Sequence, residues 1–363
     1  MHSATFEKSW IKGPYFDLAF IFGIVLLAGL MSGITVFWPL LFIPVLTVHS
    51  WLFGYEHLWA TFTKLIAHPD DRKRHRTLIF IAPGFVLIGI VSVGYTFELR
   101  GLYVLYFFGQ FFHTVRQSWG IAQTYRRTAG GIKWDPIRLS EITLWSVPIW
   151  GLLHRCAQQP EEFLFQNFWL PTVPQTVVYI FGSASCLLWS YWIFTRVAAF
   201  KRGEFAVGHT LYMLSHFAVY FFSYILIEEL CSGWLLVNVW HNVQYIAFVW
   251  VYNRKRFVNG RDAKAPLLSW LSQAGSLRAI FYILATIAFA LPFYYLLPQL
   301  GLTLDTIFKA VAVPIAVILA MSLTFHHYIV DGIIWKSQND QSMKEMFEPK
   351  GASMIKKTQF EEA

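Results

Sequence analysis

Apolar residues in this chain run in long stretches separated by short polar and basic segments. A helix needs about 20 mostly apolar residues to cross the hydrocarbon core of a bilayer. That ruler predicts helices at roughly 15–35, 38–63, 78–97, 101–125, 139–157, 175–196, 208–228, 232–253, 278–298 and 310–335. The short alternating segments of a transmembrane barrel are missing from the sequence. The pattern therefore predicts an all-α, polytopic integral membrane protein with about ten transmembrane helices. Residues 1–335 form one helical domain and 336–363 a polar, basic tail.

Lys and Arg concentrate in cytoplasmic loops, which tests the count independently. With the N-terminus inside, nearly all of the 29 basic residues fall on the cytoplasmic side. Only Arg100, Arg155 and Lys309 fall outside, and Arg116 lies within a helix. Both termini are then cytoplasmic, as expected for a bacterial-type cytoplasmic membrane. The first apolar stretch runs into Phe37, Trp38 and Pro39 without a small-residue cleavage pattern, so it reads as a retained span.

Composition narrows the function classes. Apolar residues make up 56% of the chain, charged residues 14%, and the mean hydropathy is +0.47. A soluble domain carries roughly 25% charged residues, so a soluble enzyme, a disordered protein and a nucleic-acid binder are excluded. Topology and attraction to anionic inner-leaflet lipid account for the net charge of +8. The three cysteines form no metal motif. Cys186 reads as a packing residue, while Cys156 and Cys231 fall at outer helix ends, where a bridge requires an oxidising compartment.

Ionisable groups inside a bilayer are costly and mark functional sites. Here they are rich in histidine: His49, Glu56 and His57; Gln110, His113, Arg116 and Gln117; His209 and His216; Asn238, His241, Asn242 and Gln244; His326, His327 and Asp331. At 1.5 Å per residue, His57, His113, His216, His241, His326 and His327 all lie about 10–18 Å from the cytoplasmic helix ends. His327 and Asp331 are four residues apart, so the carboxylate can orient the imidazole or bind a metal beside it. His326 and His327 point about 100° apart, so one metal takes only one of them. His113 and His241 are also followed at equal intervals by Arg126-Arg127 and Arg254-Lys255, as expected of two parallel helices stopped by the same basic flank.

Imidazole-rich ligation suits iron, copper, zinc or nickel. One or two non-haem irons account for the set best, with His57, His113, His216, His241, His326 and His327 as ligands. Glu56 and Asp331 are ligands or their partners, Arg116 neutralises a carboxylate or holds an anionic head group, and Gln117 and Tyr245 line the pocket. Haem between His113 and His241 is an alternative that leaves the other histidines unexplained. Zinc hydrolysis lacks the H-E-x-x-H motif. The single histidines spread over several spans, with His326-His327-Tyr328-Ile329-Val330-Asp331, resemble in style the membrane-embedded histidine-ligated iron oxygenases, a class spanning fatty-acid desaturases, hydroxylases and bacterial carotene-cleaving enzymes. The desaturase histidine boxes do not occur, so the resemblance implies a reaction class and no residue assignment.

The expected function is a membrane oxidoreductase that hydroxylates, desaturates or cleaves a lipid-like substrate, using dioxygen and an electron donor supplied by a partner. A proton-coupled or metal-ion transporter and a haem-binding electron carrier are the alternatives.

Overall fold

A computed structural model describes residues 9–132, 135–308 and 313–335, which are almost entirely helical. The expected tail at 336–363 lies outside the described residues. Helix α1 (Pro14–Phe37) starts with proline in its first turn, where the missing N–H costs nothing. Asp17 in that turn accepts the backbone N–H groups of Ile11, Lys12 and Gly13 at 2.8–3.0 Å and fixes the incoming chain.

Helix α2 (42–65) contains a π-turn at Ser50–Gly54. The run Ala82–Thr128 breaks at Glu98, whose φ of 57° no helix accommodates, leaving α3 (82–97) and α4 (99–128). Next come α5 (Ile137–Gln158) and a small antiparallel hairpin of β1 (Glu162–Phe163) and β2 (Gln166–Asn167). Helix α6 (Gln175–Lys201) precedes α7 (Val207–Phe221), which runs on through a π-turn at Phe222–Leu226. The chain ends in α8 (Leu230–Arg256), α9 (Ser276–Phe308) and α10 (Ile315–Ile334).

Five helical stretches are long and apolar enough to cross a membrane: Pro14–Phe37, Ala82–Thr128, Gln175–Lys201, Leu277–Ile307 and Ile315–Ile334. Their outer faces display Leu26, Leu30, Phe85, Ile88, Leu187 and Phe194, each more than half exposed. Continuous apolar surface of this kind belongs against lipid rather than water.

Helix α8 has a different composition because it has no outer face. Nearly every residue from Leu230 to Asn253 is buried, and α1, α2, α4 and α7 pack around it. Helix α10 packs against α2 and the α3–α4 pair, α9 covers α10 and α2, and α5 with α6 extends the bundle beyond α7. The α1–α8 contact is sealed by hydroxyls. Ser32 Oγ donates to the Ser232 carbonyl at 2.7 Å, and Thr35 Oγ1 donates to Ser232 Oγ at 2.8 Å.

The end of α7 depends on Arg155, whose surroundings the charge count alone does not reveal. Arg155 is fully buried. It donates to the carbonyls of Ser223 and Glu228, both at 2.7 Å, and to that of Ile227. They lie in and just past the last turn of the helix, where carbonyls lack intrahelical partners. All three cysteines are free thiols, and Cys231 Sγ accepts the Leu164 N–H at 3.3 Å, so Cys156 and Cys231 are not bridged.

Gly233 of α8 faces the same junction. A methyl group there would collide with the Ser223 carbonyl and press on Arg155. Gly233→Ala is expected to destabilise the bundle by about 1–3 kcal/mol, read as a lower melting temperature of the purified protein in detergent. An unchanged melting temperature would show that this junction yields freely.

Candidate metal centre

Four helices build the site by one repeated device. Each supplies a histidine and, four residues on, a polar side chain on the same face. The pairs are His57 and Thr61 on α2, His113 and Gln117 on α4, His241 and Tyr245 on α8, and His327 and Asp331 on α10. The histidines form one layer. The His57 ring centroid lies 4.6 Å from those of His241 and His327, and His113 lies 4.9 Å from the same two rings. Tyr328 stacks on His113 at 4.4 Å and fixes its plane.

The second layer orients the first. Thr61 Oγ1 donates to Asp331 Oδ1 at 2.9 Å, and Tyr245 Oη donates to the same oxygen at 2.6 Å. Trp335 Nε1 donates to Tyr245 Oη at 2.9 Å. Thr61 Oγ1 also lies 2.9 Å from His327 Nδ1. A hydroxyl has one proton, and here it goes to the carboxylate, so His327 Nδ1 is the donor to Thr61. His327 then keeps its lone pair on Nε2, facing inward. Nε2 is 3.6 Å from Asp331 Oδ2 and 2.7 Å from His57 Nε2. Two neutral imidazole nitrogens at that distance share a proton or a cation.

One atom each from His57, His113, His327 and Asp331 falls within 4.8 Å of all the others. Ligand atoms on opposite sides of a metal bound at about 2.1 Å lie roughly 4 Å apart, so a small contraction closes the set around one ion. Unpartnered buried atoms point the same way. His57 Nδ1, His113 Nε2, His241 Nδ1 and Asp331 Oδ2 have no hydrogen-bond partner among the described residues. Each such atom costs about 1–3 kcal/mol when left bare. The buried His57, His113, His327 and Asp331 cluster can therefore bind a metal ion, and its donors suit a transition metal. His241 completes the wall of the cluster without belonging to the closest set.

Other expected ligands lie elsewhere. His216 Nε2 is 2.9 Å from the Leu144 carbonyl and must donate to it, and its Nδ1 accepts from Ser118 Oγ at 2.7 Å. With both nitrogens engaged, His216 joins α4, α5 and α7 instead. His326 turns away from its neighbour and donates from Nε2 to the Leu78 carbonyl at 2.7 Å, as a ring about 100° round the helix must. Glu56 is buried with Oε1 unpartnered, on the side of α2 toward Tyr282 of α9. The rings of His113 and His241 meet edge to face, which leaves no slot between them for a porphyrin.

A cavity of about 580 Å³ opens beside the cluster between α4, α8 and α10. His113, Asp331, Gln117, Tyr245 and Arg116 all line it, with Phe112, Trp119 and Phe248 as apolar wall. Gln117 Nε2 donates to the His241 carbonyl at 3.2 Å, and Gln117 Oε1 has no partner. Sequence reading missed Thr61, Trp335 and Tyr328 as parts of the site. The spacing of four from His57 to Thr61 and from Asp331 to Trp335 was the available signal.

No protein-family model, curated protein or solved structure has significant similarity to this chain.

Metal content separates the two kinds of histidine. His327→Ala and His113→Ala are expected to empty the site, whereas His216→Ala keeps full occupancy and loses about 1–3 kcal/mol of stability through its orphaned partners. Elemental analysis and thermal melting of the purified variants check both halves. Equal metal loss in all three would place His216 in the centre after all.

Proposed function

We propose that this protein is a membrane oxidoreductase that holds one non-haem iron at His57, His113, His327 and Asp331 and oxidises a lipid-like substrate. In this reading the bundle crosses the bilayer ten times with both termini cytoplasmic. The observation that carries the reading is the convergence of three imidazoles and one carboxylate beside a largely apolar cavity that His113 and Asp331 line. Bound iron supplies dioxygen activation. A redox metal is favoured over zinc because hydrolysis requires a general base beside the metal-bound water, and Glu56, the buried carboxylate of α2, lies on the side toward α9.

For hydroxylation the stoichiometry is RH + O₂ + 2e⁻ + 2H⁺ → ROH + H₂O. The electrons come from a reduced carrier on the cytoplasmic side, since no flavin or nicotinamide motif occurs in the sequence. The residues of this chain do the rest. Thr61 and Tyr245 hold Asp331 with one oxygen turned toward the cluster, the hydrogen-bond support that ligating carboxylates and imidazoles require. Phe112, Trp119 and Phe248 keep the substrate chain beside His113 and exclude water.

Protein purified under mild conditions is expected to carry close to one iron per chain without a Soret band, and to consume oxygen when given a reductant and membrane lipid. Tyr245→Phe, which removes one of the two hydroxyls holding Asp331, is expected to lower metal affinity or turnover about 10–100-fold. Stoichiometric zinc, or oxidised products that form equally without oxygen, would refute this reading.

A further inference from the structure

The cavity beside the cluster has a largely apolar wall, into which Gln117, Gln123, Thr124 and two arginines, Arg116 and Arg127, are also set. Exposed Phe112, Arg116 and Gly120 of α4 frame the opening, and Gly332 of α10 faces them. A Cβ at Gly120 or Gly332 would meet nothing within 4 Å, so the gap between the two helices is open there. Arg116 is the group in this frame that calls for explanation. It sits one turn from His113, and it has no hydrogen bond or ion pair among the described residues. Other arginines within the bundle have partners: Arg155 caps α7, and Arg126 and Arg196 flank Asp135. A guanidinium inside a span is expensive unless an anion meets it, and it is built to grip an oxyacid with two parallel hydrogen bonds.

The one carboxylate lining the cavity is Asp331. Its Oδ1 is held by Thr61 and Tyr245 and its Oδ2 lies toward His327, so it is committed to the cluster and does not neutralise Arg116. We infer that the cavity takes an amphiphile with an anionic oxyacid head group, a carboxylate or a phosphate, which Arg116 binds while the chain lies along Phe112, Trp119 and Phe248. The inference names the substrate class of the site proposed above and rests on that reading. It adds a constraint on regiochemistry. With the head group one helical turn from His113, the carbons nearest the head group face the histidine layer, and the far end of the chain does not.

The test is equilibrium binding of a long-chain carboxylate, the matching alkyl phosphate and the matching alcohol to the full-length protein in neutral detergent, before and after chelator treatment. Both anions are expected to bind about tenfold more tightly than the alcohol, the effect of one charge-assisted contact. Arg116→Gln should bring the anions down to the alcohol without moving the alcohol itself, and Arg116→Lys should keep most of the preference. Gly332→Phe, which closes the mouth, should weaken all three. A tighter carboxylate identifies a free fatty acid as the source, and a tighter phosphate a phospholipid-type head group. An alcohol that binds as well as the anions, or an anion preference that survives Arg116→Gln, overturns the inference. Because binding is read without metal, a protein that lacks iron but still selects anions refutes the oxidative reading alone. A protein that carries iron but shows no selection refutes this inference alone.

Discussion

The whole arrangement depends on one constraint: a polar side chain that has left water for the interior of a lipid-facing bundle must find its partner inside the protein. The outer helices avoid the problem by displaying leucine, isoleucine and phenylalanine. The inner ones solve it locally, and α8 shows how. Its serine bonds to α1, its His241 carbonyl takes the Gln117 amide of α4, its Asn242 reaches His49 of α2 at 3.4 Å, and its Tyr245 serves Asp331 of α10. A helix so placed can be less apolar than its neighbours and still lie at the centre of a membrane bundle. Its neighbours are other side chains, and they supply the hydrogen bonds that lipid cannot.

Against that background the histidine layer is an exception with a physical meaning. Tyr212, Ser118, His216 and the Leu144 carbonyl form a closed set in which each polar atom named has an answer. Unpartnered buried atoms occur elsewhere too, as on His209, but on His57, His113, His241 and Asp331 they belong to side chains packed against one another. The bundle spends rigid supports on them, including a stacked tyrosine on His113, two hydroxyls on Asp331 and a hydroxyl on His327. Groups held so firmly yet left unanswered are arranged for something other than the protein itself.

Much of this was legible in the chain. Depth along each helix is a linear quantity, so counting from the basic flanks placed His57, His113, His241 and His327 at one level. The matched intervals from His113 and His241 to their arginine and lysine flanks reflect two helices that bring their rings 4.9 Å apart. What could not be counted was direction. His216 shares the level but turns to a backbone carbonyl of α5, and no spacing on α7 reveals which carbonyl lies opposite. His326 was the easier case, since adjacent residues cannot share a helix face. The partners of Arg155 were equally hidden, because they are main-chain atoms whose availability depends on a π-turn that nothing in the local sequence announces.

The π-turn in α2 carries a consequence of its own. At about 100° per residue, the eight steps from His49 to His57 overshoot two full turns by about 80°, which would set one ring toward α8 and the other well away from it. A π-turn absorbs one residue, so the two histidines behave as though seven steps apart, about 20° short of two turns, and both address α8. A regular helix over the same residues would have the same hydropathy, but only one of these two histidines would be turned to the centre. The second histidine of α2 reaches the centre through a change of phase within the helix, at a place where hydropathy does not change.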